Sequence, residues 1–361
     1  MRLIIDAHED LAWNILTFNR DYTRSIKETR KAEEGSETPT LNGSTMVGWP
    51  EYQQAGVAIV YSTLFAAPFR RKLGDWDVQS YRDIKEAHRR YLDQLNTYHR
   101  LVDQKPDHFR LIQDAASLKN HLLEWQDEKQ SHAVGFVILM EGAEGVQEPS
   151  ELEFWWENGV RIIGPAWAGT RFCGGTREPG PLTDEGRALL DGMADIGFTL
   201  DLSHMDELAV RQALDDYPGA IIASHATCAA LMPDFPNNRL LKDDIIKGII
   251  ERNGVIGMIP MLPFLKEGWK SADGRQGLNM DPLLIDQVDH ICQLAGDSNH
   301  VGLGTDFDGG FGMESAPADL DSIGDLVKIP ALLEKRGYSD TDMDAIMGKN
   351  WERHLMETLP G

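Results

Sequence analysis

Eight short apolar segments recur along the chain, and helical patterns of mixed apolar and charged residues separate most of them. Most of these segments are continuously hydrophobic, which is typical of parallel strands that are buried on both faces. The segments are Leu3–Asp6, Gly56–Phe65, Val134–Met140, Val160–Trp167, Gly197–Ser203, Ala220–Ser224, Gly254–Pro260 and His300–Thr305. Strands that alternate with helices in this way predict an α/β fold of the (β/α)8 TIM-barrel type, with an open doubly wound sheet as the alternative.

The segments between the strands show the apolar spacing of amphipathic helices. The predicted helices are Asp77–Asp103, Thr183–Ile196, Asp206–Leu214, Lys242–Arg252, Pro282–Ala295 and Ser339–Leu359. Two segments are too long for a minimal strand–helix repeat: the polar segment Phe18–Trp49 and the glycine-containing segment Pro260–Pro282. We expect both to be inserted loops, near residues 18–49 and 260–282, in a single barrel domain that spans residues 1–361.

The chain of 361 residues carries 58 acidic and 35 basic side chains, which gives a net charge of −23. This balance argues against a nucleic-acid partner and against docking on an anionic membrane, because both need clustered Lys and Arg. The three cysteines, Cys173, Cys228 and Cys292, lack the spacing of a thiolate zinc site. No apolar run reaches the ~18 residues of a membrane helix. We expect a cytoplasmic protein, and a homodimer is compatible with the base rate of oligomers.

Polar and charged side chains follow several of the predicted strands at the point where the strand ends. The first strand is followed by His8 and Asp10, and the third by Glu141. His204 and His225 follow the fifth and sixth strands, and Asp306 follows the eighth. In a barrel, the groups that carry chemistry lie at these carboxyl ends, where the loops begin. A lone histidine or carboxylate at a strand end is usually structural, but six such residues at equivalent positions favour a shared site.

Imidazole nitrogens and carboxylate oxygens are suitable ligands for Zn, Mn, Fe or Co. His8, Asp10, Glu141, His204 and His225 offer more ligands than one tetrahedral zinc accepts. Two metal ions that share a bridging carboxylate and a water therefore fit this set better, and such a pair polarises a carbonyl and generates hydroxide at neutral pH.

The chain resembles the membrane (renal) dipeptidase family of zinc metallopeptidases, which have amidohydrolase-type barrels. The resemblance is carried by short motifs that occur in the family's order along nearly the whole chain. The motifs are Asp6-Ala-His8-Glu-Asp10-Leu-Ala-Trp13, Met140-Glu141-Gly142, Asp201-Leu-Ser-His204, Ser224-His225-Ala226, Asn238-Arg239 and Gly304-Thr-Asp306-Phe-Asp308-Gly309.

The resemblance implies a (β/α)8 barrel with two zinc ions, although Mn or Co would suit the same ligands. It implies that His8 and Asp10 hold one ion, that His204 and His225 hold the other, and that Glu141 bridges them.

It also implies that Arg239 binds the carboxylate of the substrate. Asp306 would carry the proton from the attacking water to the leaving amine, and Asp308 would orient a ligand or fix the turn.

One position departs from the family pattern. The family usually has a histidine at the end of the fourth strand, where it helps to stabilise the tetrahedral intermediate, and here the alignment places Trp167 at that position. An indole donates one hydrogen bond and cannot become cationic. Either Arg171 or the ring N–H of Trp167 supplies the missing donor, or the substrate differs from an ordinary dipeptide. Trp167 is accordingly predicted to contact the substrate.

These features predict a dinuclear zinc dipeptidase that hydrolyses the amide bond of a dipeptide or related small substrate through a hydroxide that bridges the two metals. An amidohydrolase that acts on N-acyl amino acids or lactams is the first alternative, and the departure at Trp167 keeps it open. A non-catalytic protein that binds metal and ligand is the second alternative, although such a protein would not need Asp306 as a proton carrier.

Overall fold

The structure is a computed structural model that describes residues 2–127 and 129–361. Its central sheet consists of parallel strands, of which eight form a closed ring. The ring strands are β1 Ile4–Glu9, β2 Val57–Phe65, β3 Val134–Glu141, β4 Val160–Gly164, β5 Thr199–Asp201, β6 Ile221–Ala226, β7 Ile256–Met258 and β8 Val301–Leu303. Each strand pairs with its sequence neighbours, and β1 closes the ring by pairing with β8. The predicted barrel is confirmed, and the alternative of an open sheet is wrong.

Helices and short strands surround this barrel. The α-helices are Leu11–Phe18, Ile26–Glu33, Thr38–Asn42, Trp49–Ala55, Ile84–Gln104, Ala115–Glu124, Leu152–Glu157, Asp184–Ile196, Glu207–Asp216, Asp243–Glu251, Leu262–Leu265, Met280–Ala295, Ile329–Lys335, Asp340–Asp344 and Asn350–Thr358, with a π-helical turn at Ala345–Lys349. The short strands outside the ring are Ala67–Pro68, Ser80–Tyr81, Phe109–Leu111, Cys173–Gly175 and Glu178–Leu182. Of these, Phe109–Leu111 extends the sheet beside β3. No helix among the described residues combines the length and apolar character needed to cross a membrane.

Most of the predicted helices lie where the sequence patterns indicated them. The helix predicted from Asp77 begins instead at Ile84, because Asp83 caps it by accepting a hydrogen bond from the backbone N–H of Glu86 at 2.9 Å. The helix predicted from Thr183 begins at Asp184, with the Thr183 hydroxyl as its N-cap. Apolar periodicity therefore located these helices, and the capping side chains decided where they begin.

The polar segment 18–49, which was predicted as a loop, contains the helices Ile26–Glu33 and Thr38–Asn42. The first helix begins with a capping box: the Ser25 hydroxyl accepts from the backbone N–H of Glu28, and the Glu28 carboxylate accepts from the backbone N–H of Ser25. The predicted loop 260–282 also contains a short helix, Leu262–Leu265. The loop interpretation of residues 18–49 is therefore wrong, since low hydrophobicity does not exclude a helix that is capped and docked on a barrel.

The strand register brings the carboxyl ends of the strands to one rim of the barrel. Glu141, the last residue of β3, pairs with Phe65 at the end of β2 and with Gly164 at the end of β4. On the other side of the ring, Asp6 pairs with Leu303, the last residue of β8. Side chains at or just beyond the carboxyl ends of β1, β3, β4, β5, β6 and β8 therefore lie near a common region.

Candidate metal centre

The five residues predicted as metal ligands come together at this rim. They are His8, Asp10, Glu141, His204 and His225. His8 and His225 lie within β1 and β6, and Glu141 ends β3. His204 is held by a turn after β5 in which its φ is 66°, a conformation that is uncommon for a residue with a Cβ and that often marks a functional site.

The two carboxylate oxygens of Glu141 face different histidines. Its Oε1 lies 3.0 Å from Nε2 of His204 and 3.5 Å from Nε2 of His225. Its Oε2 lies 3.7 Å from Nε2 of His8. The Nε2 atoms of His204 and His225 are themselves 2.9 Å apart. This carboxylate thus stands between two groups of nitrogen and oxygen atoms, as a bridging ligand would.

His8 shows most directly that the residues present suit a cation. Its Nε2 is buried and has no hydrogen-bond partner among the described residues. Three carboxylate oxygens surround that nitrogen: Oε2 of Glu141 at 3.7 Å, Oδ2 of Asp10 at 3.8 Å and Oδ1 of Asp306 at 4.0 Å. A buried polar atom without a partner is costly. A metal ion held by this nitrogen and by the oxygens of Glu141 and Asp10 would give the nitrogen a partner and offset the charge of the carboxylates.

Two overlapping sets of ligand atoms are close enough to hold an ion. His8, Glu141 and His225 form one set, and His8, Asp10 and Asp306 form the other, with the atoms of each set within 4.8 Å of one another. The assignment of particular ligands to particular ions stays a prediction.

Burial dominates the electrostatics of this cluster. It raises the pKa of Asp10 to about 6 and lowers the pKa of His8 to about 3. Burial and then the nearby Asp10 carboxylate raise the pKa values of Glu141 and Asp306 well above their usual range. The pKa values of His204 and His225 are lowered by burial as well. A divalent cation bound here would offset the repulsion between the carboxylates, and the neutral imidazoles could bind it through their nitrogen lone pairs.

A hydroxyl that the sequence analysis did not single out orients His225. Ser224 Oγ lies 2.9 Å from Nδ1 of His225 and donates to Oδ2 of Asp201 at 2.6 Å. Because this hydroxyl donates to the carboxylate, it is free to accept from Nδ1–H, which leaves the lone pair of Nε2 directed toward the cluster. His204 has a similar neighbour, since its Nδ1 lies 2.9 Å from Oγ1 of Thr176. Ser224 and Asp201 stand in the quoted motifs beside the histidines, and that adjacency is the signal that could have identified them.

The second strand also contributes to the cluster. The Thr63 hydroxyl near the end of β2 is hydrogen-bonded to Oδ1 of Asp10 and lies 3.2 Å from the backbone carbonyl of Glu9. Thr63 was missed because a threonine in an apolar strand is ordinarily a sign of β-propensity alone.

Gly309, which follows β8, allows the Asp306 and Asp10 carboxylates to lie close to the backbone. A Cβ at this position would lie 1.9 Å from Oδ1 of Asp306 and 2.9 Å from Oδ2 of Asp10.

Arg239 lies beside the histidines and is buried. Its Nη2 donates to the backbone carbonyl of His225 at 2.8 Å. Its Nε and Nη1 are buried and lack hydrogen-bond partners among the described residues. A buried guanidinium with N–H groups to spare can donate hydrogen bonds to the carboxylate of a ligand.

Trp167 lies on the side of the rim that β2, β4 and β5 form. Its half-buried ring packs edge-on against Phe65, with ring centroids 5.1 Å apart, and lies 6.2 Å from the ring of His204. Arg171, the other donor considered for the position, is engaged elsewhere: it pairs with Glu144 at 3.3 Å and with Glu185 at 3.0 Å. The structure thus places Trp167 next to the cluster and turns the Arg171 side chain toward its acidic neighbours.

Asp308 does not contact the predicted ligands through its side chain. Its carboxylate accepts hydrogen bonds from Thr45 Oγ1 at 2.6 Å, from the backbone N–H of Met46 at 2.8 Å and from Tyr22 OH at 3.0 Å. It also pairs with Nη1 of Arg20 at 3.1 Å. Of the two roles predicted for Asp308, these contacts favour the fixing of the turn.

Comparison with known proteins extends the resemblance seen in the sequence. The sequence profile of membrane dipeptidases, peptidase family M19, matches residues 2–358. A Klebsiella pneumoniae protein described as an uncharacterized protein in the pqqA 5' region is 28% identical over 274 residues, which are 73% of this chain and 93% of the relative. Dipeptidase ataJ of Aspergillus terreus is 28% identical over 311 residues, which are 78% of this chain and 70% of the relative.

Solved structures share the fold over nearly the whole chain. A metallopeptidase from Rhodobacter sphaeroides, liganded with a phosphinate mimic of the dipeptide L-Ala-D-Ala, has a TM-score of 0.77 and 22% identity, with 99% of both chains covered. The probable dipeptidase PvdM from Pseudomonas aeruginosa has a TM-score of 0.78 and 17% identity, with 99% of this chain and 95% of that chain covered. At such identities the likeness demonstrates the barrel fold alone.

Proposed function

Since the chain belongs to the membrane dipeptidase family, peptidase family M19, we propose that it is a metal-dependent dipeptidase that hydrolyses the amide bond of a dipeptide or related small substrate. The observation that carries this proposal is the buried cluster at the barrel rim, in which Nε2 of His8 has no hydrogen-bond partner within residues 2–127 and 129–361 and faces three carboxylates. Arg239 lies beside it, and its Nε and Nη1 find no hydrogen-bond partner in the described part of the chain. Such a site combines ligands for a metal with a cation for a substrate carboxylate.

The proposed cofactor is a pair of zinc ions, and Mn²⁺ or Co²⁺ would suit the same ligands. His8 and Asp10 would hold one ion, His204 and His225 the other, and Glu141 would bridge them. The orientation of the Glu141 carboxylate supports this assignment, because its two oxygens face the two groups. When bound, the metals would polarise the scissile carbonyl and generate a bridging hydroxide at neutral pH.

Asp306 is proposed as the proton carrier. As general base it would accept the proton of the attacking water at its carboxylate, and as general acid it would return that proton to the departing amine. One observation supports this role: Oδ1 of Asp306 lies 4.0 Å from Nε2 of His8 at the rim, next to the proposed ligands.

Arg239 is proposed to bind the free carboxylate of the substrate through the end of its guanidinium, where one N–H of Nη1 and one of Nη2 are parallel. Nη2 carries two N–H groups and can also donate to the His225 carbonyl. Trp167 is proposed to form the opposite wall and to contact the substrate. The single-domain organisation of residues 1–361, the homodimer and the cytoplasmic location stay predictions.

Metal removal is the first test. Protein treated with a chelator should lose dipeptide hydrolysis and regain it on addition of Zn²⁺, Mn²⁺ or Co²⁺. Undiminished hydrolysis by protein that contains no metal would overturn the proposed mechanism.

A substrate panel tests the reaction itself. L,L-dipeptides, L,D-dipeptides and N-acylated amino acids are compared with the metal-loaded protein, and cleavage of acylated compounds alone would favour an amidohydrolase. Asp306→Asn should abolish turnover while metal stays bound. A purified, metal-loaded wild-type protein without turnover on the panel would favour a binding role.

A further inference from the structure

The turn that carries Asp306 adopts an unfavourable backbone conformation. Asp306 and Asp308 have φ values of 55° and 61° and therefore lie in the left-handed region. This region is disfavoured for residues with a Cβ, and it persists where surrounding contacts impose it. The backbone N–H of Asp306 donates to the carbonyl of His8 at 3.2 Å, which ties one end of the turn to β1. The other end, at Asp308, needs a restraint of its own.

That restraint comes from the segment 18–49. The fully buried carboxylate of Asp308 is bound by Arg20, Tyr22, Thr45 and the backbone N–H of Met46, and all four donors belong to this segment. A buried carboxylate with four donors is a firmly held group, since each lost donor would leave it partly unsatisfied.

Two asparagine side chains bind the backbone carbonyl of Asp308, and one of them, Asn42, also belongs to the segment. This carbonyl accepts from Nδ2 of Asn14 at 2.8 Å and from Nδ2 of Asn42 at 3.4 Å. Arg20 is itself fixed by Glu33 at 2.8 Å, in the helix that the capping box starts. The contacts thus run from a helix of the segment, through Arg20, to the residue two positions beyond Asp306.

We propose that residues 18–49 are a positioning element of the active site: through Asp308 they hold the left-handed turn that places the Asp306 carboxylate beside His8. Asp308 is the positioning residue, and Tyr22 and Thr45 are the hydroxyl donors that fix it. This inference rests on the proposed role of Asp306 as proton carrier. A shift of about 1 Å in such a group can cost on the order of 10²-fold in rate.

The test removes the two hydroxyl groups without changing the shape of the segment. Thr45→Val and Tyr22→Phe, singly and together, are compared with Thr45→Ser, which keeps the hydroxyl. In the double variant we expect kcat on a dipeptide to fall on the order of 10²-fold. KM and metal content should stay close to wild type, because neither variant touches the proposed ligands or Arg239. Thr45→Ser should retain near wild-type kcat.

Tyr217→Phe is the matched control, because it removes another buried tyrosine hydroxyl, which donates to the backbone carbonyl of Phe198. It should leave kcat unchanged. Unchanged kcat in the double variant, or an equal loss in Tyr217→Phe, would overturn the positioning role.

Amide hydrogen exchange supplies a readout that does not depend on activity. The backbone N–H of Gly309 donates to the Asp306 carbonyl at 3.1 Å, and that of Gly310 donates to the Asp308 carbonyl at 2.9 Å. Exchange in a peptide covering residues 306–310 should accelerate in Thr45→Val and Tyr22→Phe and stay slow in Thr45→Ser and Tyr217→Phe. Equally slow exchange in all variants would refute the restraint. A wild type without dipeptide turnover would refute the proposed function, and the exchange result would still decide the restraint.

Discussion

Ser224 places its hydroxyl 2.9 Å from Nδ1 of His225 and 2.6 Å from the Asp201 carboxylate, so one buried hydroxyl couples a histidine to a carboxylate. Ser224→Ala removes this link and lets the imidazole rotate or change tautomer. We expect metal affinity to fall about 10–100-fold, as is usual when a group that orients a ligand is lost. Competition with a chromophoric chelator measures it.

Ser62→Ala is the control for Ser224→Ala. Ser62 is a buried serine of β2 whose hydroxyl has no hydrogen-bond partner among the described residues. Its replacement should leave metal affinity at the wild-type level. Equal affinity in Ser224→Ala and wild type would show that the hydroxyl does not orient His225.

In the proposed site with two metal ions, Glu141 would be a ligand of both ions and Asp10 a ligand of one. Glu141→Gln should therefore lose bound metal at both positions. Asp10→Asn should keep roughly one ion, at His204 and His225, because those ligands are untouched. Metal content per chain, measured after dialysis by atomic emission, gives the answer. Retention of two ions by Glu141→Gln would contradict a bridging role.

Arg239→Lys tests the recognition of the substrate carboxylate. Lysine keeps the charge but lacks the planar guanidinium, so the parallel pair of hydrogen bonds to one carboxylate is lost. For a dipeptide with a free carboxylate, kcat/KM should fall by roughly 10–100-fold, which corresponds to ~1.5–3 kcal/mol for a hydrogen bond to a charged group. The matched substrate is the same dipeptide with an amidated C-terminus. Its kcat/KM should be lower than that of the free dipeptide in wild type, and Arg239→Lys should change it far less. An equal loss on both substrates would argue that Arg239 acts on something other than the carboxylate.

His121, a buried histidine outside the candidate site, should make the free energy of unfolding depend on pH. His121 belongs to the helix Ala115–Glu124, and its side chain is buried. Nε2 of His121 lies 2.8 Å from the carbonyl oxygen of Ala58. Burial lowers the pKa of this imidazole from 6.5 to about 4. Because the folded protein holds the neutral ring, its stabilisation is complete above pH 6.5 and is lost as the pH falls toward 4. The loss approaches about 3 kcal/mol in the free energy of unfolding.

Urea unfolding of wild type and His121→Gln between pH 7.5 and 4 measures the contribution of His121 to the free energy of unfolding. Glutamine is a suitable replacement because it keeps a hydrogen-bond donor and does not titrate in that range. The difference in the free energy of unfolding between the two proteins should shrink as the pH falls. Parallel pH profiles would show that His121 is not the source of the dependence.

The sequence predicted the barrel well because its cause is local. Continuous apolar runs such as Val134–Met140, separated by helical patterns, are typical of parallel strands buried on both faces, and each run overlaps a ring strand. The strand ends followed from the same pattern, so His8, Glu141 and Asp306 could be placed at one rim without coordinates. The family motifs then supplied their proposed roles.

Other features depend on contacts between residues far apart in the chain. No local pattern reveals that Thr63 would contact Asp10, or that Asp308 would be bound by four donors that lie between 262 and 288 residues earlier in the chain. The same limit applies to residues 18–49. Their polar composition predicts a loop, but the segment contains two helices, which its local composition does not reveal.

The sequence by itself therefore determined where the strands lie in the chain, which residues stand at their carboxyl ends and the chemical types of the ligands, because periodicity and strand-end position are properties of short segments. Only the tertiary structure decided which atoms face one another: the two oxygens of Glu141 toward different histidines, Trp167 against Phe65, and Asp308 toward Tyr22 and Thr45. Such pairings depend on barrel closure and on side-chain packing, which bring distant residues within a few ångströms.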